Sequence, residues 1–353
     1  MARSTRIGVD IGATGVRAAE LAMRGNPPSL VRVGQVPLSP GAVTNGEIRD
    51  PGAVSDALKE LWHRGKFKSK EVILGVANQR VVVREVSVPW LEDKELRASL
   101  PFQVQEYVPI SLEEAVLDFH VLEEFEREGR RMLRLLVVAA QKIMIQQIVA
   151  AVEAARLRPV GLDLVPFAIV RSVGSVDGSG LAGSGGGDEA VVDVGSDITS
   201  ICVHAWGVPR FVRILPSGGR DVTEAIARAV GVPDEEAERL KRGDRAAGNG
   251  HFEAAGKAAA SRAASFADDI RSSLEFYLTQ MPGAKISRVL VTGGGSKLHG
   301  FEKVLVERLP FEVAAGRPFN RVSSVLDLPE EALDEAEPLL AVAVGLALPG
   351  VRG

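Results

Sequence analysis

The sequence predicts an α/β fold made twice over, a duplicated strand–turn–strand unit with an α+β module inserted in its first copy. Three observations lead there. Residues 7–17 run an apolar strand into Asp10, a turn of Gly12, Ala13, Thr14 and Gly15, and a second strand. Residues 190–199 repeat that order, with Asp193 near the strand end and Gly195 in the turn. Between the copies, residues 80–159 read strand, helix, strand, strand, helix, which is a different rhythm. One glycine turn is usually just a turn; two copies half a chain apart indicate a duplication.

Composition sets the bounds. A chain of 353 residues, 46% hydrophobic and 25% charged, has the make-up of a globular protein of two or three domains. A net charge of −4 and few aromatics argue against a nucleic-acid binder, which needs a concentrated positive surface or stacking platforms. Cys202 is the single cysteine, so no intramolecular disulfide framework or multi-cysteine metal site exists. The opening residues lead straight into a strand without a signal-peptide stretch, and no apolar run is long enough to span a bilayer. A cytoplasmic address is the expectation.

Taken in order, the first copy continues with a strand at 30–36 and a helix at 54–62. The helix shows apolar spacing at Val54, Ala57, Leu58, Leu61 and Trp62, with Asp50 as N-cap and Pro51 in its first turn. A buried strand follows at 71–77. The inserted module places strands at 80–88, 115–125 and 130–141, and helices at 92–108 and 143–156. A strand at 161–165 and a short helix at 167–173 return to the first unit. Residues 174–187, rich in Gly, Ser and Asp, read as a connector. After the second hairpin, a third strand covers 210–215, and helices cover 218–230, 233–242 and 254–281. Residues 289–298 run strand, glycine loop, helix. Residues 338–348 form an apolar helix whose Gly345 implies close packing. The expected domains are 1–79 completed by 160–187 and 338–353, then 80–159, then 188–337.

Glycines let a turn approach a ligand closely, and successive N–H groups in such a turn form an anion nest. An acid at its mouth suits water around a divalent cation. Asp10-x-Gly12 and Asp193-x-Gly195 therefore read as two phosphate hairpins facing one cleft. Gly218 and Gly219 open a helix whose free N–H groups would favour phosphate. Gly293, Gly294 and Gly295 follow a strand, where a base or ribose could lie against bare backbone.

Together these motifs resemble the actin-like (ribonuclease H-like) ATPase superfamily. Within it, the chain resembles the type IV pilus assembly PilM family. That resemblance rests on residues 105–114 (QEYVPISLEE), 117–121 (LDFHV), 237–241 (AERLK), 270–276 (IRSSLEF), 291–301 and 341–348. It implies a cytoplasmic ATP-binding adaptor of the pilus inner-membrane platform, peripheral to the membrane through its partner. The implied partner is the N-terminal cytoplasmic tail of PilN, with the module at 80–159 as docking surface; other platform components and self-association stay open. It implies ATP and Mg²⁺ as cofactors. Asp10, Gly12, Thr14 and Arg17 would form the first phosphate loop, and Asp193, Gly195 and Thr199 the second. Asp10 and Asp193 would hold Mg²⁺ through water, and Gly218 and Gly219 would touch phosphate. Glu238 and Lys241 would reach ribose or base, or else form a salt-bridged face. Gly294, Gly295 and Ser296 would form the adenosine loop. The family usually carries Lys where Arg17 stands; Arg keeps the charge and can fork between phosphate oxygens.

Hydrolysis needs a polar group to orient water. Actin-like ATPases take it from the segment after the first domain's last strand, where this chain has Val165 and Pro166. Weak or absent ATPase activity is therefore expected, with no catalytic residue assigned. Two alternatives differ in class. A cell-division tether of the FtsA type ends in an amphipathic membrane helix, which this sequence lacks. An actin-fold small-molecule kinase needs a carboxylate base, for which no convincing residue stands out.

Overall fold

Two sheets with the same strand order carry the molecule, as seen in a computed structural model that describes residues 5–175, 187–247, 250–326 and 329–350. The first unit supplies β1 (Thr5–Gly12), β2 (Gly15–Ala22), β3 (Ser29–Pro37), a small hairpin of β4 (Val43–Thr44) and β5 (Glu47–Ile48), α1 (Pro51–Gly65) and β6 (Glu71–Val76). The insertion supplies β7 (Val82–Pro89), α2 (Asp93–Val104), β8 (Ala115–Arg127), β9 (Arg130–Gln141) and α3 (Lys142–Ala154). The chain then returns through β10 (Arg158–Leu164) and α4 (Val165–Val173). The second unit follows with β11 (Asp188–Val194), β12 (Thr199–Ala205), β13 (Val208–Leu215), α5 (Gly219–Val230), α6 (Asp234–Lys241), α7 (Phe252–Gln280), β14 (Ile286–Thr292), α8 (Phe301–Arg308) and β15 (Glu312–Ala315). Last come β16 (Ser323–Ser324) and α9 (Glu330–Ala347).

The first sheet runs β10-β6-β1-β2-β3-β16 and the second β15-β14-β11-β12-β13. Apart from β16, the two orders superpose strand for strand, as the sequence duplication predicts. In both, the Asp-bearing strand pairs antiparallel with its hairpin partner and parallel with the strand on its other side. This is the actin-like ATPase fold. A third sheet, β7-β9-β8, belongs to the insertion.

Burial explains the layers. Every residue of β2 before Ala22 is buried, so the strand is covered on both faces. Val16 and Ala18 pack toward α1, whose buried stripe Val54, Ala57, Leu58, Leu61 and Trp62 is the one expected; Asp50 caps it by accepting from the Ala53 N–H at 3.0 Å. Ala19 and Leu21 pack toward α9. There a Cβ on Gly8 would lie 2.1 Å from the Ala343 carbonyl, and one on Gly345 would lie 1.9 Å from that of Ala168. Only glycine admits such approaches. A further apolar cluster joins the halves: Val165 and Ile169 of α4 and Leu346 of α9 meet Val191, Cys202 and Leu290 of the second sheet.

Three expectations changed. The helix expected over 92–108 ends at Val104; Pro109 disfavours helical backbone at Val108, the expected last residue. The helix expected from 338 begins at Glu330, with Pro338 inside it, since its first turns are acidic and show no apolar face. The hairpin β4–β5 was not expected. Most of the connector, 176–186, lies outside the described residues.

Candidate functional site

The β1–β2 turn is the tightest kind, with Gly12 opposite Gly15. That register sets Asp10 directly across from Arg17. The Arg17 guanidinium donates from Nη2 to Thr14 Oγ1 at 3.1 Å and sits 3.5 Å from Asp10 Oδ2 through Nη1. Arg17 is only 7% exposed, and its Nε is buried without a hydrogen-bond partner. Burial raises the pKa of Asp10 against the lowering pull of Arg17. The carboxyl of Asp193 is pushed up to about 7, first by burial and then by the charge of Asp10, again opposed by Arg17. Asp10, Asp193 and Arg17 thus lie within electrostatic reach of one another where the two hairpins approach.

The second turn is wider, from Val194 to Thr199, and Ser200 stands opposite Asp193 where the first copy has Arg17. The start of α5 is docked onto it. Here the sequence expectation needs correction. Gly219 and Arg220 do not present free N–H groups: they donate to the carbonyls of Gly195 and Ser196, each at 2.9 Å. Gly218 donates to Asp221 Oδ2 at 3.1 Å, and Arg262 of α7 holds the same carboxylate at 2.9 Å. A Cβ on Gly218 would stand 2.5 Å from both turn carbonyls. The glycine is there for close approach. Thr199 is likewise engaged, donating its hydroxyl to the Ser217 carbonyl at 2.8 Å.

Lys241 reaches the same corner, donating to Gly219 O at 3.0 Å and Thr223 Oγ1 at 2.8 Å while pairing with Glu238 at 2.5 Å. Thr223 donates to Glu238 in turn, so these side chains form a closed network at the edge of the cleft. The loop after β14 folds back on β11. Gly293, at φ 87°, leaves no room for a side chain, since a Cβ would meet Asp193 Oδ1 at 2.5 Å. Ser296 donates to Gly293 O at 2.7 Å, closing a short 3-10 turn over Gly294 and Gly295. Asp10, Gly12, Thr14 and Arg17 thus lie at the end of β1, and Asp193, Gly195, Thr199, Gly218, Gly219 and the 293–296 loop at the end of β11, with Lys241 and Glu238 joined to the latter through Gly219 and Thr223.

Val165 and Pro166 form the buried first turn of α4, and Val165 packs in the apolar cluster between the halves. Sequence reasoning missed Asp197, whose side chain is 4% exposed. It accepts from Arg220 Nε and Ser196 Oγ, each at 2.9 Å, and at 3.4 Å from the backbone N–H of Asn45 in the β4–β5 hairpin. Asn78, buried after β6, donates to Asn45 O at 2.8 Å. The Asn45-Gly46 pair between extended residues was the available signal.

A groove of about 380 Å³ lies away from this cleft. Its walls are β8 of the insertion, an edge strand with exposed Val116, and β10, the edge strand of the first sheet with exposed Leu162. Leu136 and Val138 form the floor with Phe167, and Val208 and Pro209 of the second half form a lip.

The family model described as Type IV pilus assembly protein PilM matches residues 8–351. A solved PilM–PilN type IV pilus biogenesis complex contains a chain 29% identical, with a TM-score of 0.85 and full coverage of both chains. The cell division protein FtsA of Bacillus subtilis (strain 168) is 24% identical over 259 residues, 67% of this chain; the match spans 57% of that relative's length. Two structures of MreB5 of Spiroplasma citri share the fold at 12% identity. One is bound to ADP, with a TM-score of 0.50 and coverage of 97% and 94%; the other is bound to AMPPNP, with a TM-score of 0.51 and coverage of 98% and 95%.

Proposed function

We propose, since the chain belongs to the type IV pilus assembly protein PilM family, that it is a nucleotide-binding adaptor of the pilus inner-membrane platform. Its partner is the N-terminal cytoplasmic tail of PilN. The observation that carries this reading is the groove between β8 and β10, which offers apolar side chains and two strand edges to an extended peptide. Residues 80–159 act as the docking module, and the chain is cytoplasmic and reaches the membrane through its partner. Among the described residues no helix is long and apolar enough to cross a membrane.

The central cleft takes ATP. Asp10 and Asp193 offer hard oxygen donors, and among the described residues no group of three His, Cys, Asp or Glu could hold a metal directly. That donor set fits Mg²⁺ held through water, with Arg17 on phosphate. The ion would supply charge neutralisation. Turnover is weak, because Val165 stands buried where a water-orienting group is needed.

Binding of the PilN N-terminal peptide, followed by fluorescence anisotropy, tests the reading. Val116→Arg and Leu162→Arg alter exposed positions on facing walls and should each weaken binding about tenfold or more. Unchanged affinity in both, or no binding by the intact chain, overturns the groove. ATP incubated with the purified chain should persist; phosphate release at several per second rejects the weak-turnover reading.

A further inference from the structure

The β4–β5 hairpin belongs to the first half but ends on the second. Its two-residue turn, Asn45 and Gly46, has φ values of 51° and 75°, the left-handed pair of a type I′ turn. The tip is wedged between the two halves. A Cβ on Gly46 would lie 1.9 Å from the Ala77 carbonyl of the first half and 3.0 Å from Ile198 Cδ1 of the second. Asn78 fixes the tip on its own side by donating to Asn45 O at 2.8 Å. Across the cleft, the Asn45 N–H points to Asp197 Oδ2 at 3.4 Å, a contact 152 residues apart in the chain. Asp197 is held ready by Arg220 and Ser196 on its other oxygen. It lies in the turn Gly195–Ile198, and the carbonyls of Gly195 and Ser196 in that turn clamp the start of α5.

We propose that the β4–β5 hairpin is a strap across the cleft whose grip on Asp197 is linked to nucleotide occupancy of the second turn. This rests on the nucleotide reading above. The turn has two tenants: phosphate on its cleft side, and the strap on Asp197. Anything that fixes the turn's backbone fixes the carboxylate that the strap holds. Linkage is reciprocal, so a nucleotide tightens the strap by the factor by which the strap tightens the nucleotide. Asp197 is a positioning residue. The strap would also order domain closure, since it joins the first half to the turn itself.

Hydrogen exchange at the Asn45 amide reads the strap directly. With saturating ATP and Mg²⁺, exchange at residues 43–48 should slow about fivefold or more, a typical allosteric coupling. Asp197→Asn keeps an acceptor for Arg220 while turning a donor toward the Asn45 N–H. It should abolish that slowing and weaken a fluorescent ATP analogue by a similar factor. If nucleotide binds and exchange at 43–48 does not change, the strap is overturned and the nucleotide site stands. If no nucleotide binds, the nucleotide reading fails and takes the strap with it. Should the variant not fold, the wild-type pair of measurements decides alone.

Discussion

The two hairpins that share a backbone plan do not share an electrostatic plan. In the first, Asp10 faces Arg17 across the strand pair, so the acid has a cation in its own hairpin. In the second, Asp193 faces Ser200, and the cation that opposes the rise in its pKa is Arg17 of the other hairpin. The first turn is short and open, with Thr14 exposed. The second is wide and sealed behind by the α5 amides. The repeated unit thus carries a charged pair in one hairpin and a backbone-anchored turn in the other.

The largest expected effect concerns that missing cation. A carboxyl that holds its proton more tightly folded than unfolded makes the fold less favourable as pH rises, here between about 4 and 7. In nucleotide-free protein, Asp193→Asn should remove that slope and raise stability at pH 8 by about 2–4 kcal/mol. Urea unfolding across pH checks it; an unchanged slope would mean that Asp193 has a partner like that of Asp10.

Next comes the difference in sealing. Gly218→Val drives a side chain into two backbone carbonyls and should cost about 3 kcal/mol. Gly12→Ala presses on the movable end of Arg17 at 3.2 Å and meets the Gly15 carbonyl at an ordinary 3.5 Å, so it should cost about 1 kcal/mol or less. Thermal unfolding of the two variants tests the contrast, which collapses if they melt alike.

Both acids should matter to ligand. Asp10→Ala and Asp193→Ala should each weaken a fluorescent Mg-ATP analogue about tenfold. Equal affinity to the parent would remove the cleft from the nucleotide reading. The smallest effect is at Arg17. Arg17→Lys keeps the charge and loses the fork, and titration of the same analogue should show a loss of about two- to fivefold.

Much of this was legible from sequence because it is written in local pattern. Strand periodicity, the Asp50–Pro51 cap and the repeated Asp-x-Gly signature each act over a few residues. The glycine of α9 was legible too, because a glycine inside an apolar helix has few other uses. What escaped is carried by contacts between distant segments. The amides of Gly219 and Arg220 are spent on a turn more than twenty residues earlier, which no helix-start rule reveals. Asp197 looks like an ordinary loop acid until the hairpin at 43–48 arrives beside it. That hairpin has two-residue strands, too short for a hydrophobic period to register.

The seating of α9 sets an order of birth for the two halves. All five strands of the second sheet lie between residues 188 and 315, so they leave the ribosome as one uninterrupted stretch. The first sheet starts at residue 5 yet stays uncovered on the face of Ala19 and Leu21 until residues 330–347 have been made. The half translated first is the half completed last. Until then the face of Ala19 and Leu21 lacks the helix that covers it, and exposed apolar strands of that kind invite misassembly.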